Sequence, residues 1–417
     1  MYTSNRFFRQ MRLAFGRTSH LNMPSLIKDV CSKTRTDTVQ DEIDALTDAV
    51  GLPVIQQSEE ELERNWYYSR GQKLVRQENW EQLGAEIRQF DEMRATTTAG
   101  SPIAEVLTRG ARNDVVRPIE LALRDRTSVP STQGIAAYHA IQNDLNRDYG
   151  IALVLAHTHI DAGWAWHDFA PTKNSDAYFK TFRRHFKLAH AILSDFDPVA
   201  ENAPALAAAQ CALLPGLENP GLRVSEDYED LIDLDPTTSR HIRNYGLHLL
   251  PAWFGNYEKL ELQAQKTAER TSDMWGTGGY AWMYLDALTC DAQCFEKLDT
   301  DLFMRGLLDI FDRLGDQHTA NLFSAFLALT LAQPAPGRES NISRRKRAKL
   351  HEAADWAIES HLREIHPLVW YEAAPRMMET EASIPTEIAY IRGEELALRI
   401  LFDRKSMIPQ TSYRKSA

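Results

Sequence analysis

The sequence predicts an all-α chain arranged as a solenoid of helix-turn-helix repeats, and three observations carry that expectation. Apolar residues recur at helical spacing along nearly the whole chain. Val and Ile seldom alternate with polar residues, as a half-buried strand would require. Asp-Pro recurs at Asp197-Pro198 and Asp235-Pro236, 38 positions apart, an interval that suits helical repeats of roughly 34 to 47 residues.

The elements follow in order. Residues 1–56 read as a basic leader with short helices. Its first 36 residues hold Arg6, Arg9, Arg12, Arg17, Lys28, Lys33 and Arg35 against Asp29 alone, and Phe7, Phe8, Met11, Leu13 and Phe15 lie among the arginines. Residues 6–17 could therefore form a membrane-surface or partner-docking arm, or simply a loosely packed end. Residues 57–130 read as helix pairs. Glu59, Glu60, Glu61 and Glu63 load a first turn with acid, where the helix dipole favours it, and helices are expected over Ser58–Arg94 and Pro102–Arg126. Residues 131–315 form the central segment, with helices at Ile135–Asn146, Tyr149–Phe169 and Asp176–Phe196.

Within that segment the stretch from Leu234 to Ala268 is the most informative. Asp235 is a candidate N-cap, and Pro236 suits a first helical position because its missing N–H has no partner there. Ile242, Tyr245 and Leu249 share one face. Pro251 and Gly255 then break the chain, with Gly255 expected at positive φ, and Tyr257, Leu260, Ala264 and Ala268 line the next helix. Such pairs cannot bury their apolar faces alone and must stack on neighbours. Gly276-Thr277-Gly278-Gly279 lacks a following Gly-Lys-Ser/Thr and reads as a joint before the helix Tyr280–Leu288. Residues 316–417 form a C-terminal helical segment, with helices at Thr319–Ala332, Ser343–Ile365 and Glu387–Phe402.

Composition bounds the function. A formal net charge of −11 argues against general nucleic-acid binding, which draws most of its affinity from clustered Lys and Arg on phosphates. Cys31, Cys211, Cys290 and Cys294 are too sparse for a disulfide framework, so Cys290 and Cys294 are expected as small core residues. No window approaches the ~18 apolar residues that span a bilayer, and the N-terminus lacks an apolar secretory core. A reduced, cytoplasmic location follows. The basic run Arg344–Lys349 is expected to be a solvated helix face.

No catalytic, cofactor-binding or metal-ligating residue is assigned. His157-Thr158-His159-Ile160-Asp161 comes nearest, because His-x-His on a strand can supply two metal ligands. The flanking Ala152, Leu153, Ala156, Ala162 and Ala165 favour a helix, where residues two apart point away from each other. His157 and Asp161 would then share a helical face. Trp164, Trp166, Trp253, Trp275 and Trp282 make the centre aromatic. They are expected to fill core between stacked helices, each indole N–H satisfied by a carbonyl; the rival reading is a peptide-binding groove.

Ile151-Ala152-Leu153 with Ala162-Gly163-Trp164-Ala165-Trp166, the Asp235-Pro236 start and Leu250-Pro251-Ala252-Trp253-Phe254-Gly255-Asn256 resemble a bacterial domain-of-unknown-function family related to tetratricopeptide repeats. The resemblance covers about residues 135–290. His167-Asp168 stand where the family carries Arg-Gly, and Ala252 where it carries Arg. The resemblance implies tetratricopeptide-like helical architecture and an interaction role, and transfers no catalytic residue. The expected function is thus a helical-repeat scaffold for a protein or peptide partner, with Trp164, Trp166, Trp253, Gly255 and Tyr257 as its structural or groove residues. The alternatives are a metal-dependent hydrolase using His157, His159 and Asp161, or a membrane-peripheral protein held by residues 6–17.

Overall fold

The computed structural model describes residues 37–126, 129–171, 175–374 and 385–407. Residues 1–36 of the basic leader, with Cys31 and the docking arm at 6–17, lie outside them. The described residues are helical, with no strand among them; two isolated bridges, Val54 to Ile365 and Thr96 to Pro102, are the sole β-type pairings there. No described helix is long and apolar enough to cross a membrane.

In chain order the helices are α1 (Asp37–Val50), α2 (Glu59–Arg76), α3 (Trp80–Glu92), α4 (Ile103–Asp125), α5 (Gln133–Asp144), α6 (Tyr149–Asp168) and α7 (Asp176–Leu193). Then come α8 (Pro204–Leu213), α9 (Pro220–Leu234), α10 (Ser239–His248), α11 (Tyr257–Arg270), α12 (Ser272–Trp275) and α13 (Gly278–Cys290). The last are α14 (Cys294–Lys297), α15 (Thr300–Leu314), α16 (Gln317–Ala328), α17 (Asn341–Glu352), α18 (Ala354–His361), α19 (Pro367–Glu372) and α20 (Thr386–Met407). Two compact units divide them: residues 59–287, and residues 37–58 together with 288–407. The expected border at 130/131 falls inside the first unit, because Leu74, Leu107, Tyr138 and Leu153 belong to one continuous core. The expected border at 315/316 separates α15 from α16, which belong to the same unit.

The first unit is organised around α6. Asp148 starts this helix by accepting hydrogen bonds from the Gly150 and Ile151 N–H groups at 2.9 and 3.2 Å, which satisfies two N-terminal donors. The helix is apolar nearly all round, the pattern of a helix enclosed on every side. It packs against α3, α4, α5, α7 and α8, and Leu153, Val154, Leu155 and Ile160 are almost fully buried. Trp275 and Trp282 are buried as expected, and the Trp275 indole N–H donates to the Pro236 carbonyl at 2.8 Å.

The Asp235 region differs from expectation. Helix α10 starts at Ser239, so Pro236 is not its first residue, and Asp235 follows the end of α9. The Asp235 carboxylate accepts from the Thr237 N–H and from the Thr237 and Thr238 hydroxyls at 3.1, 2.6 and 2.7 Å. An Asp that satisfies a turn in this way competes with the cap geometry a helix start needs. The apolar face was read correctly: Ile242, Tyr245 and Leu249 are fully buried. Asn256 caps α11 through the Lys259 N–H at 2.7 Å.

Gly255 is not among the glycines with positive φ; a Cβ there would instead run into the Leu249 carbonyl. Close backbone approach, rather than handedness, makes the position a glycine. Gly255→Ala, which backbone conformation alone would tolerate, should therefore destabilise the unit by about 1–3 kcal/mol, the cost of overpacking. Urea denaturation of the single variant measures this, and an unchanged midpoint would refute it.

In the second unit, Cys290 and Cys294 are buried, as expected. The expected helix Ser343–Ile365 is two, α17 and α18, which meet at Ala353. Its basic run is largely engaged. Arg344 and Arg347 pair with Glu339, Lys346 donates to the Glu296 and Leu298 carbonyls, and Lys349 pairs with Asp301. Buried Asn321 uses its whole amide. Nδ2 donates to the Gln317 and Glu364 carbonyls, and Oδ1 accepts from the His366 N–H and the Trp370 indole.

Candidate functional site

Three groups of side chains meet around α6, and all lie within the first unit. On the face toward α4, Asp161 accepts from Arg112 Nε at 2.6 Å. Glu105 and Arg109 stand four apart on α4 and pair at 2.8 Å, and Arg240 of α10 reaches the same Glu105 oxygen at 3.4 Å. The His157 ring lies among Glu105, Arg109, Arg112 and Asp161. Side-chain exposure is 28% for Glu105 and 31% for Asp161, against 16% for Arg109, 19% for Arg240 and 6% for Arg112. Both carboxylates therefore keep more solvent contact than the guanidiniums that pair with them.

The electrostatics agree with that geometry. Burial works to raise the Glu105 carboxyl, but Arg240 and Arg109 outweigh it and bring it down to about 2. Burial and then the neighbouring Arg112 push His157 down to about 4, so its imidazole is neutral at pH 7. Burial also lowers the Arg109 guanidinium, opposed by Glu105 and reinforced by Arg240 and Arg112.

On the opposite face, His159 connects two other histidines. Its Nε2 lies 2.9 Å from His139 Nε2 on α5, and its Nδ1 lies 2.9 Å from His185 Nδ1 on α7. Burial first, then the adjacent imidazoles, lowers His159 to about 3; burial and Arg184 lower His185 to about 4. Each N···N contact needs one proton. Three neutral rings supply it only when all N–H groups point the same way along the chain. His157 and His159 therefore serve separate partner sets, as residues two apart on a helix must. A single ion held by both, which the hydrolase alternative needs, does not match this arrangement. Among the described residues no group of three or more His, Cys, Asp or Glu could hold a metal ion.

The third group is aromatic. Trp164 packs at ring-centroid distances of 5.2 Å from His167 and Phe182, 5.8 Å from Phe186 and 6.2 Å from Trp253. Trp253 continues to His248 at 5.3 Å and Phe254 at 5.4 Å, and His248 Nδ1 meets the Tyr228 hydroxyl at 3.0 Å. Phe182, Phe186 and His248 are buried, whereas Trp164, His167, Trp253 and Phe254 keep part of their surface in solvent. Trp253 was expected as an enclosed wedge between helices; its partial exposure corrects that. Trp166 turns elsewhere, packing on Tyr178 at 5.0 Å beside Ile119, Leu123 and Ile135. Tyr257 is the first residue of α11 and is half-buried.

The sequence reading found His157, His159, Asp161, Trp164 and Trp253 but missed Glu105, Arg109, Arg112, Arg240 and His139. A signal for three of these was present: Glu105, Arg109 and Arg112 sit at i, i+4 and i+7 of one helix, a single face. His185 carries no local signal either, because its partner, His159, comes from another helix. No protein-family model, curated protein or solved structure matches the chain. What the described residues define is an all-helical fold with a cluster of ion pairs and an aromatic face around one central helix.

Proposed function

We propose that the protein is a helical scaffold that binds a protein or peptide partner through the aromatic face around Trp164 and Trp253. One observation carries the reading. Two motif segments some ninety residues apart converge on the same cluster, and there two tryptophans and Phe254 stay partly in solvent. Core packing alone gives no reason to leave them there, whereas Trp anchors dominate binding hot spots. The turn between α10 and α11, with Trp253 and Gly255, belongs to this reading as one helix-turn-helix pair of a tetratricopeptide-like array, whose concave surfaces suit extended partners. A cytoplasmic setting belongs to the same proposal.

Trp253→Ala tests it. The variant should keep native helicity and lose no more than about 2 kcal/mol, less than the ~3–5 kcal/mol of a fully enclosed large-to-small change. It should also lose a stoichiometric partner that the wild-type chain captures from cells of its native source. Capture of that partner at wild-type level by a folded Trp253→Ala chain would overturn the proposal.

A further inference from the structure

We propose that the outer face of α7 docks an acidic helical segment of a partner protein through Lys180, Arg183, Arg184 and Lys187. These four stand at i, i+3, i+4 and i+7, so they form one row about 10 Å long on a single helix face. All four are exposed. The opposite face of the helix is buried through Phe182, Phe186, Ala189 and Leu193, which holds the row outward. The first ground is that the row is unpaired. Among the described residues no carboxylate forms an ion pair with any of the four, and their one hydrogen bond runs from Arg183 Nε to the Phe179 carbonyl of the same helix at 3.4 Å. Arginines on other helices are matched: Arg70 pairs with Glu86, Arg76 with Asp114 and Arg223 with Asp227. The chain is rich in acid, with 58 Asp and Glu against 47 Lys and Arg, yet α7 has no acidic residue after Asp176. Every i, i+3 and i, i+4 pair within the row is a like-charge pair that works against the helix. A facing row of carboxylates removes that repulsion.

The second ground is the limited length of the row. Asp176 lies one turn before Lys180 on the same face, and Asp195 and Asp197 follow the end of the helix; all three are exposed. Carboxylates therefore close the row at both ends. A nucleic-acid backbone or an anionic membrane extends past them and meets repulsion there, to which the net charge of −11 adds. A short acidic helix with its own carboxylates at i, i+3, i+4 and i+7 matches the row and stops with it. The two guanidiniums at the centre offer planar forks that hold carboxylates bidentately, and the lysines add a point charge at each end. Complementary rows of this kind set orientation and speed encounter more than they add affinity. The proposal does not rest on the aromatic face, because Phe182 and Phe186, which pack on Trp164, point the other way from α7.

The probe is a fluorescently labelled, Ala-rich helical peptide with glutamates at i, i+3, i+4 and i+7, and its Gln counterpart is the control. Each is titrated with the full chain at pH 7.5 in low-salt buffer and followed by anisotropy. The Glu peptide should bind saturably at one equivalent, and weaken as ionic strength rises toward about 0.15 M. The double variant Arg183→Glu, Lys187→Glu should weaken that binding at least tenfold. Lys73→Glu, which reverses an exposed lysine on α2, should leave it within twofold of wild type. Arg184 stays in place because it acts on His159 and His185. Circular dichroism confirms that each variant is folded; should the double variant not fold, Arg183→Gln with Lys187→Gln replaces it with the same expectation. Absence of saturable binding would overturn the proposal, as would equal affinity for the Gln peptide or in the folded double variant. Vesicles of phosphatidylserine and phosphatidylcholine, and a single-stranded oligonucleotide, are titrated alongside. Tighter binding of either than of the Glu peptide, lost in the same double variant, would assign the row to a phosphate surface and overturn the proposal too. Trp253→Ala should bind the Glu peptide as wild type does, so either reading can fail without the other.

Discussion

Lowering the pH from 6.5 toward 4 should unfold the first unit before most of its carboxylates are neutralised. Four of its histidines are held neutral in the fold: His159 and His248 at about 3, His157 and His185 at about 4, with burial the leading cause for each. In the unfolded chain each returns to its ordinary value near 6.5. Between the two values the unfolded state binds more protons, so stability rises with pH. The contribution is fully present above about pH 6.5 and is lost progressively as pH falls toward the folded values. For His159 and His248, each 1% exposed, the loss is roughly 1 kcal/mol per pH unit apiece, and His157 and His185 act in the same direction. Asp91 and Asp227 oppose them: burial raises both carboxyls, that of Asp91 to about 6, so they gain stability as pH falls, two groups against these four and His139, which burial also lowers. Against a typical domain stability of about 5–15 kcal/mol, the net loss should bring unfolding within reach near pH 4–5. Urea midpoints and proton uptake measured from pH 7 to 4 report this directly. A His248→Asn chain, which cannot be protonated there, should take up about one proton fewer on unfolding. A midpoint that stays flat from pH 6.5 to 4.5 would show that these imidazoles are not held neutral.

How much of this was legible in the sequence depends on whether a signal is local. Helix existence is local: apolar spacing placed α2, α3, α6, α10 and α11 within a few residues of where they lie. Cap choice is only partly local. Asp235-Pro236 carries the letters of a helix start, but two following hydroxyls and His241, 3.5 Å away, engage the carboxylate in a turn instead. The site was legible one helix at a time. The spacing in His157-Thr158-His159 showed that the two rings diverge, yet the residues they meet on other helices come from α4, α5 and α7. Arg240 and Glu105 are far apart in sequence, and nothing in the sequence around either one announces the other. The solvent exposure of Trp253 was likewise invisible, because Trp in a turn between helices has the same pattern whether it fills a core or faces outward.

Gly71→Val and Gly110→Val should each destabilise the first unit strongly, and together by less than the sum of the two. The positions face each other reciprocally where α2 crosses α4: a Cβ on Gly71 would strike the Leu107 carbonyl, and a Cβ on Gly110 would strike the Tyr68 carbonyl. Both obstacles are backbone, which cannot swing aside as a side chain could, so the helices must separate. Overpacking costs typically about 1–3 kcal/mol, and a rigid backbone obstacle with a β-branched residue puts each variant at or above the top of that range. Replacing glycine in a helix ordinarily returns up to about 1 kcal/mol of backbone entropy, too little to reverse the sign. Once one valine has pushed the helices apart, the second meets less resistance, so the pair should couple by about 0.5–3 kcal/mol, as neighbouring sites that share one backbone shift do. Ser69→Val, on the exposed side of α2, is the control and should stay within about 0.5 kcal/mol of wild type. Chemical denaturation of the four chains decides this. Strictly additive losses, or losses no larger than that of Ser69→Val, would mean that the crossing has room to spare and that the two glycines do not set its distance.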